Sequence, residues 1–289
     1  TMRANDNPEI HADCGAIMNI LGRSAEAEAA CRHVIDLDPN HLPAYNNLSV
    51  ALTQQNRHTE ALEVCDLALE RRPAYVDALI NKANILVNLD DPVGAIEIYI
   101  VVIEKAPKNP LVRVNLGSAL RLVGELQSAE EQYRIGLDLR PEYPEAYVGI
   151  GLVLTSRGDY HGAQVAFRKA LSLRPNFGVA QLNLAAARFK GGDIIGAEKE
   201  YRQILRTHPN AAPAQTGLGI ALLAKGELNK ARSAFREAVN LDPSEGEAWM
   251  NLASSPAPDI SVSDRTKILK LVGDKRLKLE QRIAMLFAL

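Results

Sequence analysis

The segment AYVGIGLVLTSRGDYHGAQVAFRKALSLRP, residues 146–175, decides the fold of this chain. Its closing proline belongs to a series in which neighbouring members are 34 residues apart: Pro39, Pro73, Pro107, Pro141, Pro175, Pro209 and Pro243. A fixed period of about 20 to 50 residues is typical of solenoids and other repeat arrays. The rest of the sequence is therefore interpreted in terms of this repeating unit.

The units share residue types at fixed positions when each proline is counted as position 32. Position 20 is always alanine: Ala27, Ala61, Ala95, Ala129, Ala163, Ala197 and Ala231. Position 24 is aromatic or cysteine: Cys31, Cys65, Tyr99, Tyr133, Phe167, Tyr201 and Phe235. Over about residues 8–245 this pattern resembles the tetratricopeptide repeat, a helix–turn–helix unit. The resemblance implies an all-α fold, a right-handed α-solenoid that winds as a superhelix.

The residues of each unit independently predict two helices. In the fifth unit Ile150 and Leu154 lie at helical spacing, and Ala163 and Phe167 repeat that spacing after Gly158. The turn position holds Gly22, Asn56, Gly124, Gly158, Gly192 and Gly226. Glycine accepts a positive φ without penalty, and asparagine tolerates it better than most residues, so we expect a left-handed turn there.

The predicted layout follows the period. It consists of a frayed N-terminus at 1–7, seven units at 8–41, 42–75, 76–109, 110–143, 144–177, 178–211 and 212–245, a half repeat at 246–253, a linker at 254–262 and a helical tail at 263–289. The third unit departs most from the pattern, with Lys82 at an apolar position and the sequence Asp90-Asp91-Pro92 in its turn. The sixth unit has Arg188 where most units carry leucine. We expect a local distortion in both units but no break in the array.

The tail contains two predicted helices. Ser263 and Asp264 are expected to cap the first, which ends near Val272. The second carries an apolar stripe of Leu279, Ile283, Leu286 and Phe287. Because a solenoid should end in a polar cap, either this tail docks onto the array or the chain is a fragment and the tail begins a further region. We favour the fragment.

Composition restricts the function classes. A formal net charge of −2 gives no long-range attraction to nucleic acid or to anionic lipid. The sequence lacks an apolar run of about 18 residues that would cross a membrane, and its N-terminus lacks a signal-peptide core. Cys14, Cys31 and Cys65 occupy apolar positions of the unit, which fits a reducing compartment. These features predict a cytoplasmic protein with neither a nucleic-acid nor a membrane partner.

No catalytic pattern is found. The six histidines fall at six different repeat positions, and no two have the spacing of a metal-binding pair. Gly149 and Gly151 suggest a glycine-rich loop, but they lie inside a predicted helix with no strand before it, so a phosphate cradle is excluded. The sequence predicts a protein that is not an enzyme, with no metal and no cofactor.

A binding surface is the remaining possibility. The family resemblance implies that first helices line a concave groove through positions 2, 5, 6, 9, 12 and 13. The residues predicted to bind a peptide there are Asn47, Asn81, Asn84, Asn115, Asn183, Asn251, Arg121, Lys190, Val114, Val148, Leu182 and Phe189. They combine amides, apolar side chains and only two cations, which disfavours a clamp for an acidic C-terminal tail.

Asparagine occupies position 6 in five of eight units. This row resembles the asparagine ladder of O-GlcNAc transferase and kinesin light chain, and an amide can both donate to and accept from a peptide backbone. Gly149 and Gly217 interrupt the row. The alternative is that these amides cap or tether neighbouring units.

Three functions follow from the sequence. The first is an interaction scaffold that binds a peptide or partner segment in its groove. The second is the non-catalytic arm of a larger sulfotransferase- or glycosyltransferase-like enzyme, because the segment from Ile260 to Leu289 faintly resembles the connector of bacterial tetratricopeptide-repeat sulfotransferases. The third is a homo-oligomer in which the tail of one copy occupies the groove of another.

Overall fold

The structure is a computed structural model of the 289-residue chain and describes residues 8–255, 260–274 and 277–289. Within these residues every regular element is an α-helix, and no strand occurs. This confirms the predicted all-α helical-repeat fold. The predicted frayed segment 1–7 and part of the predicted linker, residues 256–259, lie outside the described residues.

The helices follow the period of the sequence. Their bounds are α1 Pro8–Ile20, α2 Ser24–Leu37, α3 Leu42–Gln54, α4 His58–Arg71, α5 Val76–Asn88, α6 Pro92–Lys105, α7 Pro110–Leu122, α8 Leu126–Leu139, α9 Pro144–Ser156, α10 Tyr160–Leu173, α11 Gly178–Lys190, α12 Ile194–Thr207, α13 Ala212–Ala224, α14 Leu228–Leu241, α15 Gly246–Ser254, α16 Val262–Val272 and α17 Leu279–Leu286. We call the odd-numbered helices α1 to α15 first helices and the even-numbered helices α2 to α14 second helices.

The chain forms two compact units, residues 1–149 and residues 150–289. We call them the N-terminal unit and the C-terminal unit. The core of the N-terminal unit includes Tyr45, Leu52 and Tyr99, and that of the C-terminal unit includes Phe235 and Trp249. Each unit therefore has apolar packing of its own.

The turns inside the repeats confirm the glycine prediction. Gly22, Gly124, Gly158, Gly192 and Gly226 have φ values of 72°, 87°, 79°, 88° and 78°. Asn56 and Asp90 adopt the same conformation, with φ of 59° and 64°. Because a non-glycine residue is strained at positive φ, the N-terminal unit retains more backbone strain in its turns than the C-terminal unit.

The constant alanine at position 20 is completely buried in nearly every repeat. Exposure is zero for Ala27, Ala61, Ala95, Ala129, Ala163 and Ala197, and 1% for Ala231. A small side chain lets the two helices of a repeat approach closely, and a larger one would overpack this contact.

The distortions expected at Lys82 and Arg188 are not found in the helix bounds. The helices that contain them, α5 and α11, are 13 residues long like the other first helices of the seven repeats. Lys82 Nζ lies 2.6 Å from Asp66 Oδ1, and Arg188 pairs with Asp193 and Glu200. The charge of each cation is therefore neutralised at the edge of the helix packing, and the repeat keeps its register.

The tail packs onto the end of the C-terminal unit. Ile268 of α16 and Met285 of α17 are completely buried, in one cluster with Trp249 and Phe235. The backbone N–H of Gly246 donates to Gln281 Oε1 at 2.6 Å. Of the two alternatives for the tail, docking is therefore present in the structure.

Two details of the tail differ from prediction. The N-cap of α16 is Ser261, not Ser263, and Asp264 completes a capping box with it. The predicted apolar stripe of α17 is not the buried face. Leu279, Ile283, Leu286 and Phe287 are 63%, 43%, 53% and 73% exposed, whereas Met285 and Ala288 face the core. On the inward side the backbones of α15 and α17 approach closely, because a Cβ on Gly246 would lie 2.4 Å from the Gln281 carbonyl oxygen.

Candidate ligand-binding surface

First helices of successive repeats contact one another inside each unit. In the N-terminal unit α1 contacts α3, α3 contacts α5 and α5 contacts α7, and in the C-terminal unit α11 contacts α13. This arrangement brings Asn47, Asn81, Asn84 and Asn115 together on consecutive helices of the N-terminal unit. Asn183 and Asn251 belong to the C-terminal unit, on α11 and α15.

In the N-terminal unit each position-6 amide nitrogen reaches back to the preceding first helix. Asn47 Nδ2 donates to the Ala12 carbonyl at 3.2 Å, and Asn81 Nδ2 donates to Asn46 Oδ1 at 2.7 Å. Asn115 Nδ2 donates to Asn84 Oδ1 at 2.9 Å. We call Asn47, Asn81 and Asn115 the amide row. Its nitrogens tether neighbouring repeats, as the alternative interpretation of the asparagines predicts.

The oxygens of the amide row are placed differently from the nitrogens. No described residue donates a hydrogen bond to Oδ1 of Asn47, Asn81 or Asn115. Each of these three oxygens has some exposed surface. The three side chains are half-buried. A fixed amide whose carbonyl oxygen reaches solvent can accept from a backbone N–H of a bound peptide.

A tyrosine fixes the end of this row. The Tyr99 hydroxyl donates to Asn84 Oδ1 at 2.5 Å, and that oxygen also accepts from Asn115. Burial raises the pKa of Tyr99 well above its ordinary value, and the nearby Asn115 amide opposes the rise only in part. The phenol therefore stays protonated as a donor, and it holds Asn84 and Asn115 in one network.

The interruption at Gly149 has a steric cause. A Cβ at this position would lie 2.3 Å from Cζ of Tyr133, so the ring fills the space that a side chain would need. The Tyr133 hydroxyl donates to Ser118 Oγ at 3.1 Å. Burial raises its pKa, against the opposing effects of Ser118 and of the Arg121 guanidinium. A tyrosine hydroxyl thus lies beside the backbone where other repeats have an amide.

Two of the predicted apolar binding residues expose little surface. Val114 and Val148 are 4% and 6% exposed. A Cβ on Gly136 would lie 2.9 Å from Val114 Cγ2, which shows how closely the second helix α8 packs there. These valines contribute to packing, while Arg121 is half-buried and its Nε has no hydrogen-bond partner.

The C-terminal unit uses its asparagines differently. Asn183 Nδ2 donates to the Val179 carbonyl and Asn251 Nδ2 donates to the Glu247 carbonyl, both at 2.8 Å and both within their own helices. These amides do not tether repeats, and they are not part of the amide row.

Gly217 lies between Asn183 and Asn251 in the sequence, and a tyrosine ring packs against it as one does at Gly149. A Cβ on Gly217 would lie 2.3 Å from Cζ of Tyr201 and 2.7 Å from its hydroxyl oxygen. This hydroxyl has no hydrogen bond to a described residue, and it is not buried. Burial of the ring raises the pKa of Tyr201 to about 12, and the Glu247 carboxylate adds to the rise. Tyr133 and Tyr201 were not among the predicted site residues. The sequence does contain a signal for them, because in both cases a tyrosine at position 24 of one repeat is followed by a glycine at position 6 of the next.

The remaining predicted residues lie on α11. Leu182 and Phe189 are half-buried and pack against the cluster that contains Tyr201, and Lys190 is exposed. They offer a partly accessible apolar strip with one cation at its end.

The two units carry opposite net charges, which the sequence-based predictions did not include. Residues 1–149 contain 22 acidic and 13 basic side chains, and residues 150–289 contain 13 acidic and 20 basic ones. The N-terminal unit is therefore acidic by nine charges and the C-terminal unit basic by seven. The net charge of the whole chain conceals this difference.

The described part of the chain shows neither a metal-binding cluster nor a membrane-spanning helix. No group of three or more His, Cys, Asp or Glu side chains there is arranged to hold a metal ion. No helix in that part is long and apolar enough to cross a membrane.

Comparison with solved structures supports the fold. The chain is similar to a chain in the crystal structure of the APC/C hetero-tetramer Cut9–Hcn1. The identity is 19% and the TM-score 0.76, over 84% of this chain and 48% of the other. It thus spans about half the length of that chain. It is also similar to a tetratricopeptide repeat protein from Parabacteroides merdae, with 18% identity and a TM-score of 0.66 over 81% and 93% of the two chains. A third similar structure is PilW, a type IV pilus biogenesis factor, with 18% identity and a TM-score of 0.65 over 73% and 98%.

Comparison of the sequence with protein families identifies the repeat. No curated protein matches the chain significantly. One tetratricopeptide-repeat profile matches residues 19–85, 52–120, 154–218 and 188–254, and a second profile with the same description matches residues 114–176. Together these matches cover most of the seven repeats, and the chain belongs to the tetratricopeptide repeat family.

Proposed function

We propose that this protein is a non-catalytic scaffold that binds an extended segment of a partner protein along its first helices. The observation that carries the proposal is the amide row, Asn47, Asn81 and Asn115. Each amide is fixed through its nitrogen and leaves its oxygen open to solvent. Fixed acceptors on successive helices suit a peptide whose backbone N–H groups point to one side.

The polar contacts would provide register, and the neighbouring side chains would provide selectivity. Arg121 lies at the end of α7 nearest the Tyr133 hydroxyl and carries a cation whose Nε is unpartnered. The C-terminal unit has a surface of its own, where Leu182, Phe189, Lys190 and the Tyr201 hydroxyl offer apolar area with polar groups at its edge. Val114 and Val148 would act by holding the helices in place.

The similar structures are consistent with this role. Cut9 is part of a hetero-tetramer with Hcn1, and PilW is a factor in type IV pilus biogenesis. Both are proteins of the same fold, so assembly with a protein partner is the function we extend to this chain. A cytoplasmic location remains our prediction, and the three free cysteines are compatible with it.

The test separates the two roles of each amide. Peptides are selected from a random phage library on the 289-residue chain, and their affinity is then measured for Asn81→Ala and Asn81→Asp. Both variants lose the tethering N–H group, but only Asn81→Asp keeps an oxygen acceptor. We expect Asn81→Ala to weaken binding about tenfold and Asn81→Asp to weaken it less. Asn81→Asp should lose more thermal stability than Asn81→Ala, because its second carboxylate oxygen would face Asn46 Oδ1. Equal affinities for wild type and Asn81→Ala, or a selection that returns no binding peptide, would overturn the proposal.

The other two functions remain predictions. A role as the arm of a sulfotransferase- or glycosyltransferase-like enzyme predicts such a domain in a longer reading frame. A homo-oligomer with the tail in a groove requires a surface of α17 that is not already used, and the exposed face of this helix meets that condition.

A further inference from the structure

Three repeats carry a tyrosine at position 24, and one of these tyrosines differs from the other two. Two of them bond through their hydroxyl groups to a polar side chain 15 residues earlier, on the first helix of the same repeat. The pairs are Tyr99–Asn84 at 2.5 Å and Tyr133–Ser118 at 3.1 Å. The residue 15 positions before Tyr201 is Ala186, whose side chain can neither donate nor accept. No hydrogen bond joins the Tyr201 hydroxyl to any described residue.

The Tyr201 side chain is nevertheless held in place. The residue is 6% exposed and packs in a cluster with Ile204 and Ala214. A Cβ on Gly217 would lie 2.3 Å from the ring and 2.7 Å from the hydroxyl oxygen, so this oxygen lies beside the backbone of α13. The oxygen retains some exposed surface. A fixed hydroxyl without a partner in the chain has its donor and its acceptors free for a ligand.

Two small residues flank this hydroxyl. On α11, Ala186 stands where the third and fourth repeats have the polar side chain that binds their tyrosine, and on α13, Gly217 stands where most repeats have asparagine. These two helices contact each other inside the C-terminal unit. We call Ala186, Tyr201 and Gly217 the tyrosine notch. Leu182, one turn before Ala186, is half-buried and supplies apolar area next to it.

A carboxylate lies near the tyrosine notch. Glu247 of α15 is exposed, and its carboxylate makes neither a hydrogen bond nor an ion pair with a described residue. Burial raises the pKa of Tyr201, and the Glu247 carboxylate is near enough to add to the rise. The phenol therefore stays protonated at neutral pH and can donate, while the carboxylate gives the site a negative charge.

The positive charges of the C-terminal unit lie elsewhere. At the predicted groove positions of α11, α13 and α15, the charged residues are Lys190 and Glu247. Lys190 ends α11, whereas Glu247 lies in the first turn of α15, so the two are at opposite ends of their helices. Arg188 of α11 pairs with Asp193 and Glu200. The other basic residues of this unit belong to second helices, to turns or to the tail.

We propose that the tyrosine notch and Glu247 bind a basic side chain, lysine or arginine, of an extended partner segment. The Tyr201 hydroxyl donates to a backbone carbonyl of that segment, and the Glu247 carboxylate pairs with the cation. An anionic group is disfavoured at this place, because it would meet an unpaired carboxylate. The inference rests on the proposed scaffold function, since it takes a protein segment as the ligand. It uses none of the amide row, so the two can be tested separately.

Two variants of the 289-residue chain test the hydroxyl. Tyr201→Phe removes only this group, and the fold should be retained because Phe167 and Phe235 occupy the same position in other repeats. Ala186→Ser places a hydroxyl where Ser118 binds its tyrosine in the fourth repeat, so it should capture the Tyr201 hydroxyl. Both variants should weaken binding of a basic peptide, Tyr201→Phe about tenfold.

Two further variants complete the set. Glu247→Gln removes the charge and keeps the shape of the side chain. Tyr133→Phe is the matched control, because the Tyr133 hydroxyl is already bonded to Ser118. It should leave peptide affinity unchanged. Thermal unfolding followed by circular dichroism verifies that each variant is folded.

The probes are peptides from a random phage library, selected in parallel on wild type and on Tyr201→Phe. The wild-type pool should contain lysine- or arginine-bearing peptides that the variant pool lacks. Each such peptide is synthesised together with a twin in which glutamine replaces the basic residue, and affinities are measured by calorimetry. Glu247→Gln should weaken the basic peptide severalfold and leave its twin unaffected, because only the basic peptide has a cation to pair.

Other results would overturn the inference. They are two pools of the same composition, a selection that returns no peptide, a pool rich in acidic residues, or a twin that binds wild type as tightly as the basic peptide. If the selected peptides depend on Asn81 but not on Tyr201, the proposed function stands and the tyrosine notch is not a binding site. The converse result supports the tyrosine notch and counts against the amide row.

Discussion

The two units are built from the same repeat, and both contain ion pairs between repeats, but their position-6 asparagines bond differently. In the N-terminal unit Asn47, Asn81 and Asn115 each donate to the preceding first helix. In the C-terminal unit Asn183 and Asn251 bond within their own helices. There a buried carboxylate, Glu198, links repeats by accepting from Lys225 at 2.7 Å and pairing with Arg202.

The difference shows what the repeat requires and what it leaves open. Apolar positions, the constant alanine and the turn are common to both units, because they set the spacing of the helices. The polar links between repeats vary along the chain. Glu28 accepts from Gln55 and pairs with Arg57 of the next repeat, and Glu198 at the equivalent position pairs with Lys225. A unit can therefore change its surface charge and its exposed polar groups without changing its fold.

The largest expected effect comes from filling the glycine sites of both units. Gly149→Ala and Gly217→Ala each place a Cβ 2.3 Å from a tyrosine ring. Overpacking should cost about 1–3 kcal/mol of unfolding free energy, less the gain in helix propensity of about 1 kcal/mol. We expect Gly149→Ala to be the more destabilising, because the Tyr133 hydroxyl is held by Ser118 whereas Tyr201 has no such bond. Urea unfolding of both variants measures the difference.

A control variant removes the hydrogen bond that holds the Tyr133 hydroxyl. In the background Ser118→Ala, the Tyr133 ring should move more easily, and the cost of Gly149→Ala should fall toward that of Gly217→Ala. If Gly217→Ala is the more destabilising in the wild-type background, our account of the two tyrosines is wrong.

The next effect concerns Glu198 of the C-terminal unit. The hydrogen bond from Lys225 lowers the pKa of Glu198; burial opposes this shift, and Arg202 reinforces it. The folded protein therefore binds a proton at this site less readily than the unfolded chain. The resulting stabilisation is complete at neutral pH and is lost as pH falls below the ordinary glutamate range and through the lowered folded pKa. Glu198→Gln should cost about 1–2 kcal/mol at neutral pH.

The check is a pH series of unfolding free energies. The difference in unfolding free energy between wild type and Glu198→Gln should become smaller as the pH is lowered from neutral. Glu237→Gln, at an exposed position of the same unit, serves as the matched control and should change little. A gap that is constant with pH would mean that the charge of Glu198 is not the cause of the loss.

The smallest effect compares the asparagines directly. Asn115→Ala removes a link between repeats and should cost about 1 kcal/mol. Asn183→Ala removes only a bond within α11 and places a better helix former there, so it should be neutral or slightly stabilising. Thermal unfolding followed by circular dichroism measures both. Equal losses in the two variants would show that the amide row does not fasten the N-terminal unit.

Some of the candidate site was accessible from sequence, and some was not. The spacing of position 6 identified Asn47, Asn81 and Asn115 as a row, because residues one period apart occupy equivalent places on neighbouring helices. It did not reveal that their nitrogens are engaged and their oxygens open, because this depends on how far one helix is rotated against the next. Val114 and Val148 appeared suitable for a groove, but closely packed second helices leave them buried. The opposite charges of the two units were readable from sequence and were missed because only the total was considered.

The sequence by itself determined the repeat, its seven copies, the helix pairs and the left-handed turns, because each follows from local spacing and from the conformational freedom of residues such as Gly158. Only the tertiary structure decided which face of α17 is buried. Its stripe of Leu279, Ile283, Leu286 and Phe287 is exposed, whereas Met285 packs inward on the side where Gln281 approaches Gly246 too closely for a Cβ on that glycine. Shape of this kind arises when distant segments meet, and a local pattern does not contain it.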